Sequence, residues 1–190
     1  AANNTAVGKD ALGANTTGIQ NVAVGSAALD AGVAASDNTA IGFEALTTET
    51  GGQNNVAIGT RSLQNQVNEQ GNIYNTAVGS NAGQAITTGG QNTVLGGNAL
   101  KSTTTGGANT AVGYAALESN TTASDNTAVG YTALGANTTG TANVALGALT
   151  LDANTTGATN TAVGSSALGK CTTGSENAAF GQGAGQSLVS

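Results

Sequence analysis

An all-β parallel solenoid (β-roll) of about eleven 17-residue coils is the fold class this sequence predicts, and three observations predict it. The pentapeptide Asn-Thr-Ala-Val-Gly or a close variant occurs eleven times, led by Asn4, Asn21, Asn38, Asn55, Asn75, Asn92, Asn109, Asn126, Asn143, Asn160 and Asn177. Successive copies lie 17 residues apart, except for one interval of 20 between Asn55 and Asn75. So constant a period marks a solenoid, and a helical hairpin would need about twice the length and a 3.6-residue apolar rhythm. The third observation is the absence of Pro, which fits a backbone that donates a hydrogen bond at almost every coil position.

The first coil, residues 4–20, shows the whole unit: the pentapeptide, two variable residues, Ala11-Leu12, a short link, then Asn15-Thr16-Thr17-Gly18. Two short strands and two turns fit that length. Alternation places Thr5 and Val7 on one face of the first strand and Asn4, Ala6 and Gly8 on the other. The apolar pair Val7 and Leu12 is then expected to meet inside a flat, two-layer coil. The Gly that closes the pentapeptide recurs in every copy, from Gly8 to Gly181, as a corner that needs positive φ or close backbone approach.

The fourth coil, residues 55–74, carries a three-residue insertion between Gln64 and Tyr74, expected to bulge from the surface. Coils 5 and 11 replace Ala-Leu by Ala82-Gly83 and Ala184-Gly185, and are expected to be the weakest packed. Residues 1–190 read as a single repeat domain, and the start in mid-repeat without Met and the end without a polar cap read as a fragment of a longer fibre.

The second residue type on the Asn face is Ala at Ala6, Ala23, Ala40, Ala57, Ala77, Ala111, Ala128, Ala145, Ala162 and Ala179, with Val94 the one exception. If that column faces outward, its small side chains gain nothing in water but allow a second chain to approach closely. Homo-oligomerisation through the Ala column follows as an expectation.

Composition excludes several function classes. With four Lys and Arg, a net charge of −6 and a pI near 4.1, the chain cannot neutralise a nucleic-acid backbone. No apolar run reaches the ~18 residues of a membrane helix. With no His and one Cys, a Ser or Cys nucleophile lacks its usual base, and the ten carboxylates fall at variable positions. No enzyme, cofactor or metal site is expected. Cys171 stands in a column occupied by Asn15, Asn120, Asn137 and Asn154 and reads as a turn substitution.

Two features are candidates for partner binding. Tyr114 and Tyr131 are one repeat apart in the column of Phe43, and rings ~4.8 Å apart along a parallel sheet stack as a ladder. Such a ladder offers a platform for sugar or an apolar receptor, or only stabilises the coil. The second candidate is the insertion, with Glu69, Ile73 and Tyr74. Thr16, Thr121, Thr138, Thr155 and Thr172 form a further row that a monomeric solenoid would present to ice or an ordered polysaccharide. The Asn-Thr-Thr runs match a glycosylation pattern, although turn chemistry explains them as well.

The segment Asn54-Asn55-Val56-Ala57-Ile58-Gly59, with Asn21-Val22-Ala23-Val24-Gly25, resembles the YadA-like head repeat of trimeric autotransporter adhesins, and the Asn-Thr-Thr-Gly runs look like those of phage tail fibres. The resemblance covers the whole chain. It implies a left-handed parallel β-roll, a homotrimer with the Ala column at its axis and the Val and Ile columns inside the roll. It also implies an extracellular place on a cell surface or virion fibre, with attachment to a host-surface glycan or matrix protein. The repeat departs from the family's unit in its longer period and in Thr for the first Val. A self-assembling extracellular filament or matrix subunit is the other structural reading.

Overall fold

The structure, a computed structural model, describes residues 1–69 and 71–189. Gln70, within the expected insertion, and Ser190 lie outside the described residues. Thirteen short strands and no helix are present among the described residues: β1 (Thr5–Val7), β2 (Val22–Val24), β3 (Thr39–Ile41), β4 (Gly52–Gln53), β5 (Val56–Ile58), β6 (Gly71–Asn72), β7 (Thr76–Val78), β8 (Thr93–Leu95), β9 (Thr110–Val112), β10 (Thr127–Val129), β11 (Val144–Leu146), β12 (Thr161–Val163) and β13 (Ala178–Phe180). Eleven of them, one per repeat, form a single parallel sheet in which each strand pairs with the next repeat. The register never slips: Ala111 faces Ala128, and Ala57 faces Ala77 across the insertion. The chain is therefore a parallel β-solenoid, as its period predicts.

Each coil has one strand of the main sheet rather than two. The Ala-Leu segment is a run of turns, because the Leu of this column is left-handed in every coil that has one, with φ from +49° at Leu29 to +54° at Leu117. A left-handed residue reverses the local direction of the chain, so no extended strand passes through it. The coils are still joined there, for example by Leu117 N–H donating to the Ala133 carbonyl at 3.0 Å.

The alternation along the strand is as expected, but the two faces are exchanged. Ala23, Ala40, Ala57, Ala77, Ala111, Ala128, Ala145 and Ala162 are fully buried inside the solenoid against the Leu column, and Ala179 nearly so. Ala6 belongs to the same column and is exposed only because its coil is the first. These ten residues cannot line an axis between chains. The partner rows point out: Val7, Ile41, Leu95 and Leu146 are exposed, and so is Phe180 at 70 %. The reason is space and polarity together. The strand and the turn side leave room between them for Leu, Ala and Asn, and the Asn side chain needs partners found only inside.

Those partners build a ladder along the solenoid. The Asn109 Oδ1 accepts from the Asn126 backbone N–H at 3.1 Å and from its Nδ2 at 3.3 Å, while Asn126 Nδ2 also donates to the Gly140 carbonyl at 3.0 Å. The same exchange repeats from Asn126 to Asn143 and from Asn143 to Asn160. A second, shorter ladder runs through Asn120, Asn137 and Asn154. Buried amides are costly unless bonded, and here each rung bonds the next.

The recurrent Gly is required on both grounds. Gly113 has φ +128°, and a Cβ there would collide with the Gly130 carbonyl oxygen of the next coil. In coil 5 the missing Leu is compensated. Gly83 takes the left-handed backbone without strain, and its would-be Cβ lies 2.9 Å from Cδ1 of the fully buried Ile86. Ile86 thus supplies the apolar volume, and the expectation of a weak fifth coil is not met. Ala184 is only partly buried and Leu188 exposed in coil 11, the last in the stack, as Ala6 is in the first.

Candidate functional site

No pocket forms among the described residues, and no group of three or more His, Cys, Asp or Glu is placed to hold a metal ion there. Function must therefore be read from surfaces. One such surface is the outer face of the main sheet. One row holds Thr5, Val22, Thr39, Val56, Thr76, Thr93, Thr110, Thr127, Val144, Thr161 and Ala178; the other holds Val7, Val24, Ile41, Ile58, Val78, Leu95, Val112, Val129, Leu146, Val163 and Phe180. Neither row contains a charged residue. At ~4.8 Å per strand the strip is about 50 Å long.

The aromatic candidates do not converge. Tyr114 and Tyr131 stack with ring centroids 5.9 Å apart and planes 13° apart, which is the expected ladder. One side of Tyr114 rests over Gly97, where an added Cβ would touch the ring at 3.6 Å, and Asn98 Nδ2 donates to its hydroxyl at 3.4 Å. Both rings stay about half-exposed, at 55 % and 56 %. Phe43 stands four coils away and meets the Arg61 guanidinium at 5.7 Å from its centroid. Arg61 Nε in turn donates to Glu44 Oε2 at 2.8 Å.

The insertion lies on the turn side. Its strand β6 pairs with β4, so part of the bulge adds a small second sheet instead of hanging free. Glu69 and Tyr74 are exposed and Ile73 is half-buried. Beneath it sits Glu49, a fully buried carboxylate that sequence reasoning passed over. Its Oε1 accepts from the N–H groups of Gly51, Gly52 and Asn68 at 3.1, 2.7 and 3.1 Å. Its Oε2 accepts from Gln66 Nε2 at 2.8 Å and Asn68 Nδ2 at 3.3 Å. Glu49 is the one acidic residue in a column that elsewhere holds Asn, Gly, Gln, Ile, Thr, Cys or Leu, and that departure was the legible signal.

The turn-side Thr row is more continuous than expected, since Thr50, Thr87 and Thr104 join it. Its hydroxyls are spent on the fold: Thr121 and Thr138 Oγ1 donate to the carbonyls of Thr138 and Thr155 at 3.0 and 2.9 Å. Asn120, Asn137 and Asn154 are buried with their amides bonded, so those Asn-Thr-Thr runs are turns and not modification sites in the folded chain. Cys171 occupies the Asn position, buried, with Sγ 3.8 Å from the Gly174 carbonyl. Burial holds the Asp152 carboxyl above its usual range, partly offset by its own backbone N–H and that of Ala153.

The fold and its surfaces define the class: a parallel β-solenoid repeat protein with one uncharged, largely apolar sheet face. Comparison with known proteins gives no match, whether to a family model, to a curated protein or to a solved structure.

Proposed function

We propose that this chain is a non-enzymatic structural segment of an extracellular fibre, on a cell surface or a virion. In it, three copies wind as a left-handed β-roll trimer and present attachment surfaces to a host cell or matrix. The observation that carries the reading is the outward Thr/Val face. An uncharged outward strip with a continuous row of Val, Ile, Leu and Phe, several of them exposed, marks an interaction surface. A partner that covers it must carry apolar rows with the same ~4.8 Å rise over about 50 Å, and another copy of this chain supplies them coil for coil. Large outward residues such as Leu95, 50 % exposed, gain most from being covered. The axis of the trimer is therefore assigned to this face, in place of the buried Ala column. The lack of His and the dispersion of the carboxylates support a role without catalysis.

One observation favours a second reading. The outward hydroxyls of Thr39, Thr76, Thr93, Thr110 and Thr127 lie in one row of the main sheet and make no hydrogen bond to the protein among the described residues. A monomer could turn that regular face to ice or an ordered polysaccharide.

Covalent trapping separates the two. Thr110→Cys, on the face, is expected to form interchain disulfides under mild oxidation, giving covalent dimers on a denaturing gel. Ser119→Cys, exposed on the turn side, is expected to give none. A Thr110→Cys chain that remains unlinked at concentrations where the fibre assembles contradicts the proposal.

A further inference from the structure

We propose that Tyr114 and Tyr131 form a modification site, at which one-electron oxidation couples the two phenols into a dityrosine staple between coils 7 and 8 (residues 109–142). The proposal goes beyond the fibre reading and stands apart from it, because both rings belong to one chain.

Parallel pairing in constant register puts the two residues in one column, and backbone bonds hold them there. Thr132 N–H donates to the Tyr114 carbonyl at 3.0 Å, and Leu149 N–H to the Tyr131 carbonyl at 2.9 Å. The rings stack at 5.9 Å between centroids and 13° between planes, and both are half-exposed. Their neighbours in the column, Gly97 and Ala148, are too small to block rotation of either ring. Exposed side chains turn on a picosecond to nanosecond scale, so rotation about the side-chain bonds closes the remaining gap between ortho carbons. The hydroxyls are open to water as well. Asn98 Nδ2 donates to the Tyr114 oxygen at 3.4 Å and leaves its hydrogen free, and the Tyr131 hydroxyl has no protein partner among the described residues.

Composition directs oxidation to this pair. The chain has no Met, Trp or His, and Cys171, its one thiol, is fully buried. Oxidants take the side chains they can reach, so tyrosine is what remains. Phe43 and Phe180 carry no phenol. The third tyrosine, Tyr74, stands in another column of coil 4, so a single pair can meet within one chain.

The step requires a peroxidase with hydrogen peroxide as its class of oxidant. Each phenol gives up one electron and its hydroxyl proton. The two phenoxyl radicals join ortho carbon to ortho carbon, and the hydrogens on those carbons pass to the oxygens as the rings regain aromaticity. The chain loses two hydrogens in all, and the two electrons and two protons reduce one peroxide to two waters. The new bond spans adjacent coils whose sheet strands are only three residues long. Like any cross-link, it restricts the unfolded chain.

The test treats the full chain with a haem peroxidase and hydrogen peroxide. Wild type is expected to gain the blue fluorescence of dityrosine, to lose the mass of two hydrogens, and to run as a single chain on a denaturing gel. Digestion is expected to yield linked peptides holding Tyr114 and Tyr131. Dilution is expected to leave the yield unchanged, because the reaction is intramolecular. Tyr114→Phe and Tyr131→Phe, with circular dichroism unchanged, are each expected to reduce the fluorescence of the single-chain band to background, while Tyr74→Phe retains it. The linked chain is expected to unfold at a higher temperature than the untreated one. No dityrosine in the single-chain band, product that survives Tyr114→Phe, or product found only as covalent dimers overturns the site. Equal melting of linked and untreated chains overturns its role as a staple.

Discussion

Two carboxylates on the outer sheet face, introduced as Val112→Asp with Val129→Asp, are expected to convert the assembled fibre segment into single chains without unfolding them. Both residues occupy the outward row of neighbouring strands, so in the single chain the new charges reach water, and their repulsion across one strand spacing costs about 1 kcal/mol or less. At a trimer axis the same charges are desolvated and face their own copies, at a cost of several kcal/mol per buried ion. Light scattering is expected to give the mass of one chain, and circular dichroism the wild-type spectrum. A contrasting change is Ala111→Asp, one residue away but fully buried in the solenoid interior, which is expected to prevent folding. If the double variant unfolds and Ala111→Asp does not, the assignment of faces is reversed.

The second large effect is internal. Asn126→Ala removes a buried rung of the amide ladder. It leaves the Asn143 backbone N–H without its acceptor, while Asn143 Nδ2 keeps the Gly157 carbonyl and the Gly140 carbonyl keeps the Asn137 amide. A buried donor left unpaired costs about 1–3 kcal/mol, so a loss of that order is expected. Chemical denaturation checks it. Thr127→Ala, next in sequence but on the outward face, is expected to change the stability of the single chain by less than about 1 kcal/mol. Equal effects at the two positions would mean that the ladder does not hold the coils.

Much of the fold is legible in the residues. The 17-residue return of Asn and Gly fixes the register of all eleven paired strands, and the small residue at the corner announces the close approach that Gly113 and Gly130 make. The Tyr114–Tyr131 stack follows from the same spacing. The direction of the strand faces was not legible from alternation, because a period of two is symmetric and says only which residues share a side. Hydrophobicity then misleads, since Val and Ile look like core. A better clue was variation within the chain itself. The outward row accepts everything from Val24 to Phe180, which a roll of constant width could not, whereas the inward column holds Ala with one Val and has Asn two residues before it every time.

The turn side was harder for a different reason. Left-handed φ at Leu is unfavourable locally and is imposed by the neighbouring coils, so local propensity points away from it. The compensation of Gly83 by Ile86 is visible only once both are known to reach the same interior space. In the insertion, the sequence brought out Glu69, Ile73 and Tyr74 but not the carboxylate beneath them. Glu49 was passed over as one more scattered acid, and its role depends on five donors that only the folded loop assembles.

The measurement that bears most directly on the fibre proposal is the absolute mass in solution of the purified 18.0 kDa chain, by light scattering across a range of concentrations. The expected result is the mass of three chains, stable to dilution, with the Thr/Val face at the axis. A single-chain mass at every concentration would contradict it and leave that face open to an ordered external ligand.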